Sequence, residues 1–154
     1  MLDSQKLSIE EVMICYEEDI IKLMKFLPWL EKVSGGETSS IYSGDGIEKT
    51  SMAVPVYDST LLSFVKTVET TEFINRNYVY TFSRYFVKTV KDEHELIEGC
   101  TILDMVVLGD ILSKYIIMGR TKGQMWSEGV KNGIYLAVVL KLRELMEQRK
   151  PLGK

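Results

Sequence analysis

Apolar positions recur at helical spacing through most of the chain. Ile9, Val12, Met13, Tyr16, Ile20, Leu23, Met24 and Leu27 share one face, which predicts an amphipathic helix. Ser8-Ile9-Glu10-Glu11 in front of it reads as a capping box, in which a hydroxyl and a carboxylate satisfy free backbone amides reciprocally. Pro28 disfavours α geometry at Leu27, so the helix kinks or restarts there, with Trp29 and Leu30 on a short extra turn, before Gly35-Gly36 ends it. The pattern then changes. Thr38–Tyr42 and Ile47–Val56 are rich in Thr, Val and Tyr and flank Ser43-Gly44-Asp45-Gly46, which predicts a small β-hairpin near residues 38–57, with Pro55 on an edge or at a strand end.

Helical spacing returns with Leu61, Leu62, Phe64, Val65 and Val68, behind an Asp58-Ser59-Thr60 cap. Across residues 73–90 the signal is double: Tyr78, Tyr80 and Phe82 alternate like a strand, whereas Phe82, Tyr85, Phe86 and Val90 are spaced like a helix. The expectation is a short extended piece leading into a helix from about Phe82. Asp92 and Glu95 mark a capped turn ending at Gly99, and Thr101 caps the central helix, Ile102–Met118. That helix is apolar except for an arc of Asp104, Asp110, Ser113 and Lys114, so it should be packed on most sides. A short helix from about Gln124 to Lys131, an Asn132-Gly133 left-handed cap and a last helix from Ile134 to about Gln148 complete the pattern. The fold expected is mainly α (α+β): five to six helices and one hairpin, in a single globular domain over residues 1–154 with a frayed tail at about 149–154.

Composition narrows the class. The chain has 154 residues, 45% hydrophobic and 27% charged, with ample apolar material for one core. Net charge of −3 argues against wholesale coating of nucleic acid or anionic membrane. The charge is uneven: residues 1–34 carry four Lys/Arg against seven Asp/Glu, residues 35–99 six against ten, and residues 100–154 nine against five. Cys15 and Cys100 form no CxxC pair, and the first residues hold no apolar stretch of the secretory kind, so a reducing cytoplasm is expected. Ile102–Met118 has the apolar density of a membrane span, but it is short and contains Asp104, Asp110 and Lys114, each costly in a bilayer.

Reaction chemistry finds little footing. His94 is the only histidine, which excludes a multi-histidine metal site, and its setting in Asp92-Glu93-His94-Glu95 suits a solvated helix end. Asp104 and Asp110 point about 120° apart around a helix. Asp110 and Lys114 are four residues apart and are expected to form an ordinary ion pair. No serine sits in a GxSxG context. No catalytic residue, cofactor or metal site is therefore expected. The one segment that combines glycines, charge and a large aromatic is Gly119-Arg120-Thr121-Lys122-Gly123 with Trp126 behind it. Its spacing fits neither GxxxxGK[ST] nor GxGxxG. Arg120, Lys122, Trp126 and Lys131 are the candidate contacts for a partner or an anion, and Arg143, Arg149 and Lys150 would widen that basic face. Three readings stand: a helix connection whose cations cap the preceding carbonyls, a protein-binding corner, or a nucleic-acid contact.

Two stretches carry a family resemblance. Met52-Ala53-Val54-Pro55-Val56-Tyr57 leads to Phe64-Val65, and Ile111-Leu112-Ser113-Lys114-Tyr115 is followed by Arg120, Gly123, Trp126, Gly129, Gly133 and Leu140–Leu145. In these, over roughly residues 50–146, the chain resembles the bacterial family catalogued as domain of unknown function 6508. The resemblance implies a small cytoplasmic bacterial protein, of a kind associated with mobile elements, without an assigned activity and with no catalytic residue to transfer. The leading expectation is a non-enzymatic interaction module that binds a protein partner or itself. The alternative is a nucleic-acid-associated protein using the basic C-terminal face, and an enzyme of unknown reaction ranks third.

Overall fold

The computed structural model describes residues 9–36, 39–42, 54–122 and 124–149. Among them the chain is mainly α, with eight α-helices where five to six were expected: α1 (Ile9–Met24), α2 (Leu27–Val33), α3 (Ser59–Glu69), α4 (Tyr78–Arg84), α5 (Val90–Gly99), α6 (Met105–Met118), α7 (Met125–Lys131) and α8 (Ile134–Arg149). The excess comes from short helices at breaks in the apolar pattern. α2 restarts at Leu27 with Pro28 in its first turn, where a missing N–H costs nothing. Strands β1 (Ser39–Tyr42) and β2 (Val54–Tyr57) pair antiparallel, Ser39 opposite Tyr57 and Tyr42 opposite Val54. Of the expected hairpin only these two four-residue segments are described; its turn and the part of its second arm from Ile47 to Ala53 lie outside the described residues. Ser8, the Ser43–Gly46 turn, Gly123 and the tail from Lys150 lie outside the described residues.

α8 is the hub of the packing, touching α1, α2, α5, α6 and α7. Its Tyr135, Val138, Val139 and Leu142 face Leu108, Ile111, Leu112, Tyr115 and Ile116 of α6 within one core that also takes Ile20, Leu23, Leu30, Leu61, Phe64 and Val68. The capping signals act locally. Asp58 accepts the Thr60 and Leu61 amides at the start of α3. Thr101 and Asp104 form a reciprocal box on a 3-10 turn, Ile102–Asp104, that feeds α6. Gly133 takes a left-handed φ of 73° between α7 and α8.

The polar arc of α6 has a different job from the one expected. Asp110 and Ser113 are buried and form a seam that holds residues 73–81 against the helix. Asp110 accepts the Asn75 side-chain amide at 2.8 Å and the Thr81 hydroxyl. The Ser113 hydroxyl accepts the Asn75 backbone N–H at 2.8 Å and lies 2.8 Å from Gly109 O and 3.2 Å from Phe73 O. Gly109 permits the approach, because a Cβ there would stand 2.5 Å from Phe73 O. The expected Asp110–Lys114 ion pair is therefore absent, and Lys114 turns to Glu93 instead.

The seam also resolves the double signal at residues 73–90. No extended piece forms over 78–82. Tyr78 and Phe82 stack edge to face across one turn of α4, with ring centres 6.2 Å apart. α4 ends where Phe86 donates its N–H to Ser83 O and Val87 to Phe82 O. This is the Schellman pattern, and it places Phe86 at the position where glycine is usual, at a φ of 57°.

Candidate functional site

The expected basic corner joins α6 to α7. Its backbone amides are committed inward: Gly119 donates to Tyr115 O, Arg120 to Ile117 O, and Thr121 and Lys122 to Met118 O. They close the last turn of α6 and leave no convergent set to cradle an anion. Gly119 is glycine for packing, since its φ of −66° suits any residue but a Cβ would collide with the Trp126 indole. Trp126 in turn donates its Nε1–H to Ile116 O at 2.9 Å, so the ring lines a groove and does not stand free in solvent.

Of the four candidate side chains, Arg120 and Trp126 meet at Glu69, whereas Lys122 and Lys131 do not line that cavity. Arg120 reaches the end of α3, where Nε and Nη2 lie 3.3 and 3.2 Å from Glu69 Oε2. Trp126 borders a cavity of about 370 Å³ with that same Glu69, beside Leu62 and Val65. Lys122 lines a different recess, and Lys131 is exposed at the end of α7. The cations do not cap the α6 carbonyls, because the loop's own amides do.

The recess beside Lys122, about 440 Å³, lies among α5, α6 and α7 and is bordered by Lys114, Tyr115, Gln124, Glu128 and Asn132. Behind it sits Glu93, only 1% exposed. Its carboxylate accepts the Tyr115 hydroxyl at 2.6 Å and the Lys114 ammonium at 2.5 Å. Burial first, then the hydrogen bond to Glu93, push the Tyr115 phenol well above its ordinary range. Burial keeps the Tyr115 phenol protonated, and Glu93 ties it and Lys114 into one clamp. Lys114 also lies 5.3 Å from the Phe82 ring centre. His94 is half-buried, not solvated: its Nε2 lies 2.8 Å from Asn132 O, on the turn after α7. Among the described residues, no group of three His, Cys, Asp or Glu could hold a metal ion. No helix there is long and apolar enough to cross a membrane.

A third surface was missed. α4 contributes no buried side chain; it is held by the Asp110 seam and the half-buried Phe82. Tyr80, 75% exposed, and Phe86, 79% exposed, project from it with Tyr85 beside them. Arg84 lies 6.0 Å from the Tyr85 ring centre, Arg76, Lys88 and Lys91 are exposed in the same stretch of chain, and no Asp or Glu occurs from Phe73 through Lys91. Lys91 reaches Glu95 at 4.0 Å, whereas Arg76, Arg84 and Lys88 form no ion pair with a described residue. The signal was present in the sequence as an acid-free run of nineteen residues. Summing charge over residues 35–99 hid it, because the carboxylates on either side outweigh it.

No family model, curated protein or solved structure matches the chain.

Proposed function

We propose that this chain is a non-enzymatic interaction module whose contact surface is the α4 corner, with a protein partner or a second copy of itself among its targets. One observation carries the reading: Phe86 holds a left-handed backbone while its ring stands in solvent. The backbone conformation costs stability, and a contact that covers the exposed ring would offset it. The Glu93–Lys114–Tyr115 clamp, in which the phenol stays protonated, supports the non-enzymatic half. A basic C-terminal contact has less support, because Arg120 is engaged by Glu69 and Lys141 by Glu98 O and Glu144. A cytoplasmic setting and kinship with the domain of unknown function 6508 family are part of the same proposal.

The test is size-exclusion chromatography with light scattering, together with pull-down from the native host, for the wild type and for Tyr80→Ser/Phe86→Ser. A mass or a recovered partner that depends on those rings supports the reading. A strict monomer whose recovered proteins are the same for both forms overturns it.

A further inference from the structure

Taking the α4 corner as a contact surface, we infer that it binds single-stranded nucleic acid, with Tyr80, Tyr85 and Phe86 stacking on bases and Arg76, Arg84 and Lys88 engaging the phosphates. The inference rests on the interaction-module reading and names the partner's chemistry.

Charge confines where a polyanion can bind. A protein of net charge −3 repels polyanions at long range, so any such contact must be local. Residues 73–91 form the one long stretch where four cations occur without a carboxylate. Three of those cations have no ion-pair partner among the described residues, so a phosphate backbone need not displace an existing pair. The rings decide the form of the nucleic acid. An exposed aromatic stacks on any base, but only when the base is free of its own stack. A duplex keeps its bases stacked and offers these rings little.

The arrangement of the side chains separates this partner from a membrane. An interfacial helix segregates a broad apolar face from a cationic one. Here rings and cations share a face: Tyr80 and Arg84 stand one turn apart on α4, and the Arg84 guanidinium lies 6.0 Å from the Tyr85 ring centre. That alternation matches a strand whose bases and phosphates also alternate. Phe86 adds a further exposed ring on a backbone turn that the Ser83 and Phe82 carbonyls hold.

The test is fluorescence anisotropy with a labelled fifteen-nucleotide oligo-dT, oligo-U and a fifteen-base-pair duplex across a salt series. Both single strands should bind more tightly than the duplex, and a difference between dT and U identifies which source is preferred. Tyr80→Ser/Phe86→Ser should weaken binding by at least about tenfold. Arg84→Gln/Lys88→Gln should weaken it and reduce the salt slope by about 1.4, from two phosphate contacts on a single strand. Phe86→Gly removes the ring while relieving the backbone, and should lose affinity with the fold intact by circular dichroism. Lys32→Gln, exposed on α2, should change nothing. No binding at 50 mM salt, equal binding to the duplex, or affinity unchanged in the ring variants overturns the inference. Binding to anionic vesicles without binding to oligonucleotides overturns it in favour of a membrane. If oligonucleotides fail but a ring-dependent protein partner or dimer is found, the interaction reading survives alone. If no contact of any kind depends on the rings, both fall.

Discussion

Replacing Phe86 by alanine and, separately, by glycine divides two costs that the wild type carries together. About a fifth of the residue is covered. For an aromatic side chain this amounts to about 30–50 Å², or about 1 kcal/mol of burial as an upper value. Both variants lose that contribution. Alanine keeps the penalty of a Cβ in the left-handed region, about 1–2 kcal/mol, whereas glycine escapes it. Glycine gives back about 0.5–1 kcal/mol through the greater freedom of its unfolded chain. At the middle of those ranges Phe86→Gly should therefore be more stable than Phe86→Ala by about 0.75 kcal/mol, or about 1.5–3 °C in Tm for a chain of this length. Urea unfolding and thermal melts followed by circular dichroism give the comparison directly. Equal stabilities, or alanine above glycine, would show that residue 86 does not hold a positive φ in solution. The argument that the ring is displayed at a cost would then fail.

Three further outcomes follow from the core and its clamps. Leu112 is fully buried in α6, so Leu112→Ala should cost about 2–5 kcal/mol in chemical denaturation, and a loss below about 1 kcal/mol would remove it from the core. Gly119→Ala drives a methyl into the Trp126 indole and should cost about 1–3 kcal/mol; in a Trp29→Phe background, unchanged emission and Tm would mean the ring is not seated there. Tyr115→Phe strips one donor from buried Glu93 and should cost about 1–3 kcal/mol near neutral pH. Because burial raises the folded phenol's pKa, its contribution is complete below about pH 10 and declines as pH rises toward the folded value. Urea unfolding of Tyr115→Phe should accordingly lose less stability above pH 10 than the wild type, and parallel curves would contradict the clamp.

Local signals were legible and non-local partners were not. The caps at Asp58 and Gly133 depend on residues within a few positions and lie where the pattern placed them, whereas Thr101 caps a 3-10 turn and α6 itself begins at Met105, three residues after the expected start. The burial of α6 followed from its apolar density. Asp110 was expected to pair with Lys114, and Ser113 to be only part of the polar arc, because their partners, Asn75 and Thr81, lie about thirty to forty positions away and carry no periodicity. Gly119 shows the same blindness: beside an arginine it suggests a turn, yet its requirement comes from an indole seven residues on. The exposed rings were hardest to place, since tyrosine and phenylalanine at helical spacing usually mark a core. Only the absence of buried side chains on α4 shows that these do not.

The Asp110 seam has a consequence for how the molecule moves. Most helices are fastened to their neighbours by apolar contact that water cannot replace. α4 is fastened chiefly by hydrogen bonds from Asn75 and Thr81, whose donors and acceptors water can satisfy. Because its apolar contact with the core is confined to the half-buried Phe82 while α6 and α8 are fully packed, it should open ahead of them. Amides of residues 78–84 should exchange hydrogen through that partial opening, well ahead of those in α6 and α8. The corner that carries the exposed rings should accordingly come loose before the body of the protein unfolds.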